Sequence, residues 1–376
     1  MQPKRSGVVT QSPAGRKAST LPAPDPAAQA HSLTLQEEIR VRIAAAGGWI
    51  SFVEYMEMAL YAPGKGYYMA GQRRFGPAGD FVTAPELGAV LGRVLARTLA
   101  PHSGRDGILE LGGGSGALAA QVHDVLPQVP YHILEPSPDL QAQQRARCPA
   151  LQHLQRLPTE WHGVFLANEV LDAMPVAVVE KMADGTLREM GVVADANGFA
   201  WAPASQPLPR PLLEPLRPYV AKWPVGYRSE VCPAATAWMH SLAARLQQGR
   251  ILLIDYGQEA AAYYQPQRYL GSLRAYYRHH LLEDPFYWPG LCDLTADVNF
   301  SAIMAAAVAE GLQIAWYGPL ARFLVTHGLP EVYAELEAQA SPEQRLALNN
   351  EVKILTLPQE MGERFQVLIL EKGEPA

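Results

Sequence analysis

The chain has 376 residues, of which 48% are hydrophobic and 18% charged, so it can bury a large core and is not a predominantly disordered protein. Its net charge is −6, and no run of lysine and arginine indicates a nucleic-acid-binding surface. No segment approaches the ~20 apolar residues of a membrane-spanning helix, and three widely spaced cysteines predict free thiols rather than a zinc site.

The amino-terminal residues 1–33 are rich in proline, alanine and serine and have no hydrophobic periodicity, which predicts a disordered tail. Basic residues precede its first acidic residue, Asp25, as in a mitochondrial transit peptide, but the prolines fit an amphipathic helix poorly. A secretory hydrophobic region is absent from the tail. We therefore expect a cytoplasmic protein, with the mitochondrial matrix as the alternative if the tail acts as a transit peptide.

We predict a helical cap region over residues 34–100, which precedes the main domain. The capping-box pattern of a hydroxyl residue followed by an acid three positions later occurs twice, at Thr34 and Glu37 and at Ser51 and Glu54. Pro85 is predicted to open a further helix that runs to Leu99, because proline is tolerated in the first helical turn.

From residue 101 to 376, short apolar strands alternate with helical stretches, which predicts a parallel sheet covered by helices on both faces. The predicted strands of this core occupy 107–111, 131–134, 161–167, 251–254, 312–316 and 365–370. We expect a helical insertion over about 202–250. The stretch from about 258 to 300 is long, aromatic and without a clear period, so it is predicted to be a lid or substrate-binding element.

Four predicted strand ends carry polar residues. In an open α/β sheet, ligands bind beyond the carboxyl ends of the strands. The four polar ends are Glu110 to Gly116, Glu135, Asn168 with Glu169, and Asp255 with Tyr256. Their convergence predicts a binding site more firmly than any single motif does.

The glycine turn that includes Gly112, Gly114 and Gly116 lets a ligand approach the backbone closely, but it fits two cofactors. It satisfies the G-x-G-x-x-A dinucleotide fingerprint, and Glu135 follows where a ribose-binding acid would lie for either cofactor. Glu110, an acid just before the first glycine, is typical of methyltransferases. We therefore favour S-adenosylmethionine over a nicotinamide dinucleotide or a purely structural turn.

Asn168, Glu169 and Asp172 are the candidate catalytic residues. Methyl transfer is an in-line displacement in which the cofactor supplies the leaving group, so the protein mainly positions and desolvates the reactants. A carboxylate is useful if the acceptor is a cationic nitrogen, since it holds the acceptor and can take a proton. The alternative is that Glu169 and Asp172 are acids at a helix N-terminus that complement the helix dipole.

Eight short motifs occur in order between residues 33 and 371. They lie at 79–86, 109–116, 167–176, 230–233, 254–257, 272–276, 293–298 and 361–365. Together they resemble the MidA-like methyltransferase family, which includes a mitochondrial complex I assembly methyltransferase. The chain departs from the family pattern at Gly113, where proline is common, and at Gln258, where histidine is common, and these departures bear on the identity of the substrate.

The resemblance implies a Rossmann-like class I methyltransferase core with an N-terminal helical element and a helical insertion, and S-adenosylmethionine as the cofactor. It also implies methylation of an arginine nitrogen in a protein, with a respiratory-complex subunit as one candidate substrate. A homodimer is a further candidate assembly.

The resemblance adds residues to the site. The expected cofactor-binding residues are Gly79, Asp80, Phe81, Thr83, Glu110, Gly112, Gly114, Gly116, Glu135 and Asn168. The expected substrate-binding residues are Asp255, Tyr256, Arg274, Tyr276, Asp293 and Thr295.

Other functions stay open on the sequence alone. A non-catalytic assembly or interaction factor could keep this fold and use the aromatic-rich stretch 263–288 as a partner surface. A methyltransferase could act on a small molecule instead of a protein. A nicotinamide-dependent dehydrogenase would bind NAD(H) at the glycine turn.

Overall fold

A computed structural model describes residues 21–70 and 83–373, which form three β-sheets and the helices that pack on them. The helices are α1 (Pro26–Ala45), α2 (Phe52–Tyr61), α3 (Ala84–Leu87), α4 (Val90–Leu99), α5 (Ala117–Val125), α6 (Pro138–Arg147), α7 (Arg210–Leu213), α8 (Pro233–Arg245), α9 (Ala260–Tyr263), α10 (Phe300–Ala309), α11 (Leu320–Thr326), α12 (Leu329–Gln339), α13 (Pro342–Thr356) and α14 (Met361–Arg364). None of the helices in these two ranges is both long and apolar enough to cross a bilayer.

The strands lie between these helices along the chain, in places several in succession. They are β1 (Ile50–Ser51), β2 (Gly107–Leu111), β3 (Tyr131–Leu134), β4 (Gln152–Leu154), β5 (Trp161–Asn168), β6 (Ala177–Lys181), β7 (Leu187–Asp195), β8 (Gly198–Pro203), β9 (Arg228–Val231), β10 (Leu246–Gln258), β11 (Arg274–Tyr277), β12 (His280–Leu282), β13 (Asp293–Thr295), β14 (Val298–Asn299), β15 (Gln313–Pro319) and β16 (Phe365–Lys372).

The main sheet has the strand order β15-β16-β10-β5-β2-β3-β4. Strands β10, β5, β2, β3 and β4 are parallel, whereas β16 runs antiparallel between β10 and β15. Successive strand residues point to opposite faces, so Ile108 packs with α4 and α5 and Leu109 packs with α8 and α10. The predicted parallel sheet with helices on both faces is confirmed, with one antiparallel strand, β16, inserted near one edge between β10 and β15.

The two smaller sheets are antiparallel and share a second core with α1 and α2. One contains β1, β7, β6, β9 and β8, and the other contains β12, β11 and β13. The prediction of a helical insertion over about 202–250 is therefore wrong: α8 packs on the main sheet, β10 is one of its strands, and β9 belongs to the five-stranded sheet. Its return strand β9 follows a proline-rich stretch and pairs with the distant β6, a pairing that local periodicity does not reveal.

The aromatic stretch predicted as a lid over about 258–300 contains β11, β12 and β13. These strands are three or four residues long, which is too short for a two-residue hydrophobic period to stand out. The stretch therefore contains a small sheet, and its role as a lid or substrate-binding element stays a prediction.

The amino-terminal helices differ from the prediction in two places. Helix α1 begins at Pro26, where the Asp25 side chain accepts a hydrogen bond of 2.8 Å from the Ala28 N–H. Thr34, the predicted cap, lies inside α1 and donates its hydroxyl to the Ala30 carbonyl. Residues 26–33 are thus helical and not part of a disordered tail, and residues 1–20 lie outside the described residues. For α2 the predicted Ser51 cap is confirmed.

The helix predicted from Pro85 to Leu99 is broken at Gly88 into α3 and α4. The cause is Glu351 of α13, whose buried carboxylate accepts a hydrogen bond of 2.8 Å from the Val90 N–H and so caps α4 from outside. Helix α4 packs in the core of the main sheet, so the predicted domain boundary at residue 100 falls inside that core.

Candidate active site at the carboxyl ends of the parallel strands

A cavity of about 890 Å³ lies at the carboxyl ends of β2, β3, β5 and β10, between the main sheet and the three-stranded sheet of β11, β12 and β13. Most of the residues predicted for the site line it. They are Thr83, Glu110, Gly112, Gly114, Glu135, Asn168, Glu169, Asp172, Tyr256, Arg274, Tyr276, Asp293 and Thr295. Gly79, Asp80 and Phe81, also predicted for the cofactor, lie outside the described residues.

The glycine turn after β2 requires glycine for its backbone conformation. Gly112 has φ +70, and a Cβ there would lie 3.1 Å from Cγ2 of Val170. Gly116, with φ +79, precedes α5, and a Cβ there would lie 3.0 Å from Cγ of Gln144. Gly116 is not among the residues that line the cavity, and its conformation lets α5 approach α6, so its contact with the cofactor stays a prediction.

Gln144 of α6, which was not predicted as a site residue, links the acid after β3 to the glycine turn. It is fully buried, and its Nε2 donates hydrogen bonds to the Gly114 carbonyl at 2.8 Å and to the Glu135 carboxylate at 3.4 Å. The Ser137 N–H donates to the other oxygen of Glu135 at 3.0 Å. A glutamine in a mostly polar helix carries no pattern that separates it from its exposed neighbours.

Glu110, at the carboxyl end of β2, lies at the base of the cavity. It is 2% exposed, and its carboxylate accepts a hydrogen bond of 3.0 Å from the Tyr131 hydroxyl. Burial raises the pKa of Glu110 to about 7. An acid with this pKa is readily held in its charged form by a nearby cation.

The turn after β5 is tightly held. Glu169 has φ +54, which is uncommon for a residue with a side chain, and its N–H donates to the Ile254 carbonyl at 2.9 Å. Asn168 Nδ2 donates to the Glu169 carboxylate at 3.0 Å. Asn168 Oδ1 is buried and finds no hydrogen-bond partner among the described residues, so it is available to a donor on a ligand.

Three carboxylates face the cavity beyond this turn: Glu169, Asp172 and Asp293. Burial raises the pKa of Glu169 to about 8, and the neighbouring carboxylates reinforce the shift. Burial and the nearby Asp255 and Asp293 likewise raise the pKa of Asp172 well above its usual value. No helix begins at this turn, so the alternative interpretation of Glu169 and Asp172 as helix N-terminal acids is wrong.

Asp255 does not line the cavity, contrary to its predicted role in substrate binding. Its Oδ2 accepts hydrogen bonds from three consecutive N–H groups, of Val170 at 3.2 Å, Leu171 at 2.9 Å and Asp172 at 3.3 Å. It is 1% exposed and lies behind the turn. Asp255 therefore supports the residues that face the cavity and is not itself one of them.

Arg274 of β11 lines the cavity beside the acid cluster and is paired with Asp297 at 3.0 Å. Asp297 also binds Arg268 at 2.7 Å, so one carboxylate holds two guanidinium groups. Asp297 lines the cavity but was not predicted as a site residue, although it belongs to one of the eight motifs.

Two tyrosines that were not predicted for the site complete its wall. Tyr61 and Tyr68 stack with their ring centroids 5.5 Å apart, and the Tyr68 hydroxyl donates to Asp293 at 3.0 Å. The Tyr61 hydroxyl donates to the Ala173 carbonyl at 2.9 Å. Tyrosines at a helix end and in the following loop are a weak signal in sequence, because such residues pack in cores as often as in sites.

Within residues 21–70 and 83–373, no three His, Cys, Asp or Glu side chains are grouped so that they could hold a metal ion. The groups that line the site are carboxylates, an amide, tyrosines, guanidinium groups such as that of Arg274, and a glycine-rich backbone.

The chain was compared with known proteins. A family model described as "Putative S-adenosyl-L-methionine-dependent methyltransferase" matches residues 90–318. Protein arginine methyltransferase NDUFAF7, mitochondrial, of Danio rerio is 28% identical over 372 residues, which cover 85% of this chain and 83% of that protein. The human protein of the same name is 28% identical and covers 86% of this chain and 80% of its own length. A Burkholderia thailandensis structure bound to S-adenosyl-homocysteine is 38% identical, with a TM-score of 0.88 over 95% of this chain and 96% of that one.

Proposed function

The chain belongs to the S-adenosyl-L-methionine-dependent methyltransferase family that matches residues 90–318, and from this premise we propose that it methylates arginine side chains of a protein. The observation that carries the arginine assignment is a group of three carboxylates that face one cavity, of which Asp172 and Asp293 are buried and Glu169 is half-buried. Buried carboxylates that repel one another are stabilised by a cation, and a guanidinium presents a planar set of N–H donors to them. The relatives named protein arginine methyltransferases support the same acceptor.

We infer a Rossmann-like class I core from the parallel strands β10, β5, β2, β3 and β4, with β16 antiparallel beside them. A cavity of about 890 Å³ is large enough for the cofactor and for the end of an acceptor side chain. The unpartnered Asn168 Oδ1 fits an ammonium donor, and the two carboxylate oxygens of Glu135 fit a pair of ribose hydroxyls.

We assign the remaining residues of the cavity on the same basis. The proposed cofactor contacts are Thr83, Glu110, Gly112, Gly114, Glu135 and Asn168. The proposed acceptor contacts are Glu169, Asp172, Tyr256, Arg274, Tyr276, Asp293 and Thr295.

When bound, S-adenosylmethionine would supply the methyl group from its sulfonium centre, with S-adenosyl-homocysteine as the leaving group. The chain's own residues hold the acceptor in line and take up a proton from the guanidinium as its nitrogen is methylated. We assign this role to Glu169 and Asp172, whose raised pKa values make them better proton acceptors than exposed carboxylates. Tyr61 and Tyr68 screen the acids from water and orient the Asp293 carboxylate.

The test combines mass spectrometry of methylarginine in cells with and without this gene and transfer of tritiated methyl groups to the protein substrates found. We expect label on arginine, and we expect Asp172→Asn to lower the transfer rate by about 10²-fold or more, with S-adenosyl-homocysteine bound nearly as in the wild type. Label confined to small molecules would contradict a protein substrate. Cofactor binding with no labelled product would favour the non-catalytic assembly factor.

The cytoplasmic location predicted from composition finds no support among the curated relatives, whose names place them in mitochondria. The transit-peptide alternative depends largely on residues 1–20, which lie outside the described residues. A respiratory-complex subunit as substrate and a homodimer stay predictions.

A further inference from the structure

The short helix α3 lies between two of the strand-end turns that form the cavity. Thr83, just before α3, lines the cavity. The backbone amide of Ala84 lies against the Glu169 carboxylate and favours its charged form. On the other side, α3 contacts α5, the helix that follows the glycine turn. Helix α3 therefore bridges the turn after β5 and the turn after β2.

The contact with the glycine turn is made by a charged side chain that the sequence analysis did not select as a site residue. Glu86 of α3 accepts hydrogen bonds from the Ser115 hydroxyl and from the Arg147 guanidinium, the latter at 2.9 Å. Arg147, at the end of α6, also donates to the Ser115 oxygen at 2.8 Å. The three side chains close a triangle around Ser115, which lines the cavity.

The position of Glu86 is fixed from both sides. Gln121 of α5 donates its Nε2 to the carbonyls of Pro85 and Gly88, each at 2.7 Å, and so clamps the backbone on either side of Glu86. The Glu86 side chain is 13% exposed, whereas that of Arg147 is 39% exposed. Burial acts to raise the pKa of Glu86, but Arg147 and Ser115 together hold it below its usual value, so the carboxylate is charged at neutral pH.

We propose that Glu86 is a positioning residue for cofactor binding, which acts by fixing Ser115 and thereby the backbone of the glycine turn. Glu86 does not itself line the cavity. A turn whose backbone N–H groups and glycines face a ligand binds tightly only if it is held in the bound conformation beforehand. This inference rests on the proposed cofactor site at the turn.

The test measures binding of S-adenosyl-homocysteine by titration calorimetry to Glu86→Ala, Glu86→Gln and Arg147→Ala. We expect Kd to rise about tenfold in Glu86→Ala, because a charge-assisted hydrogen bond to Ser115 is lost. In Glu86→Gln the rise should be about threefold, since the amide oxygen still accepts from Ser115. The matched control is Glu335→Ala, which removes an ion pair with Arg97 on the neighbouring α4, and neither of these two residues lines the cavity.

A second readout, hydrogen exchange of residues 112–117 in the ligand-free protein, separates this inference from the proposed function. Faster exchange in Glu86→Ala than in Glu335→Ala supports the positioning role, whether or not the wild type binds S-adenosyl-homocysteine. Absence of binding to the wild type would contradict only the proposed cofactor. Unchanged exchange and wild-type Kd in Glu86→Ala overturn the inference, as does an equal loss of affinity in Glu335→Ala. If Glu86→Ala does not fold, Arg147→Ala decides: we expect an approximately threefold rise in Kd, and no rise overturns the inference.

Discussion

Glu169 is the residue at which local backbone preference and the requirements of the site conflict. Its φ of +54 is a conformation that glycine adopts freely, yet the position carries a large acidic side chain. The hydrogen bond to Ile254 and the three that Asp255 accepts hold the turn in place. The surrounding structure thus stabilises a strained residue whose carboxylate faces the cavity.

This strain predicts that glycine and alanine at position 169 differ in their effect on stability although both abolish activity. We expect Glu169→Gly to be more stable than Glu169→Ala by about 1 kcal/mol, because only alanine retains the cost of a left-handed backbone conformation. Both variants should lose methyl transfer. Chemical denaturation gives the two free energies of unfolding, and a Glu169→Ala variant more stable than Glu169→Gly would show that the backbone is not strained.

Helices α3 and α4 show how a distant residue sets the ends of an element. Gly88 lies between them with an extended backbone of φ 170, so its conformation does not require glycine. Glycine is needed there because there is no space for a side chain: a Cβ at Gly88 would lie 2.0 Å from Oε2 of Glu351. The capping carboxylate is separated from α4 by more than 250 residues of sequence, which is why the break was not predicted.

Gly88→Ala should therefore destabilise the protein by about 2 kcal/mol, because the carboxylate must leave the Val90 N–H and lose a buried hydrogen bond. In a Glu351→Ala background the same substitution should cost close to nothing. A double-mutant cycle of unfolding free energies measures the difference. Equal costs in the two backgrounds would mean that the Glu351 carboxylate is not what excludes a side chain.

The elements that could be predicted are those in which hydrophobic period and end signals lie close together in sequence. The strands 107–111, 131–134 and 161–167 and the Ser51 cap of α2 are of this kind. The small sheets could not be predicted, because their strands are short and pair with distant partners. The site divides in the same way: polar strand ends were visible in the sequence, whereas Gln144 and Tyr68 depend on packing between elements.

At the scale of the whole molecule, the cavity is closed by two separate cores. The acids at the strand ends belong to the main sheet, whereas Tyr61, Tyr68 and Asp293 extend from the core shared by α1, α2 and the small sheets. Several carboxylates are buried at this cavity or behind it, and Glu351 is buried beside α4. Burial raises the pKa of Glu110 and Glu351 to about 7 and that of Glu169 and Asp255 to about 8.

These raised pKa values predict that stability falls as pH rises from 6.5 to 8.5. The folded state holds protons that the unfolded state has already released, so each such group contributes up to ~1.4 kcal/mol of lost stability per pH unit in this window. Burial lowers the pKa of His132 and His153. These two histidines change the stability only below about pH 6.5, where they make the protein more stable as pH rises, so they do not offset the predicted fall.

The measurement is Tm at several pH values between 6.5 and 8.5, for the wild type and for Glu351→Gln. The variant should show a shallower fall, because its amide does not titrate while still accepting the Val90 hydrogen bond. A Tm that rises over this range, or an identical slope in the variant, would contradict the prediction.

The place of β16 in the main sheet has a consequence for how the protein is made. β16 lies between β10 and β15 in the sheet but follows both of them in the chain. Until β16 has been synthesised, β10 therefore has a partner on one side only, and β15 has no strand to pair with. A nascent chain that has reached only Arg364 presents the apolar edge of β10 with unpaired backbone groups. We therefore expect ribosome-bound chains stalled at this point to be captured by chaperones, whereas chains that include β16 and have left the ribosome should not be captured.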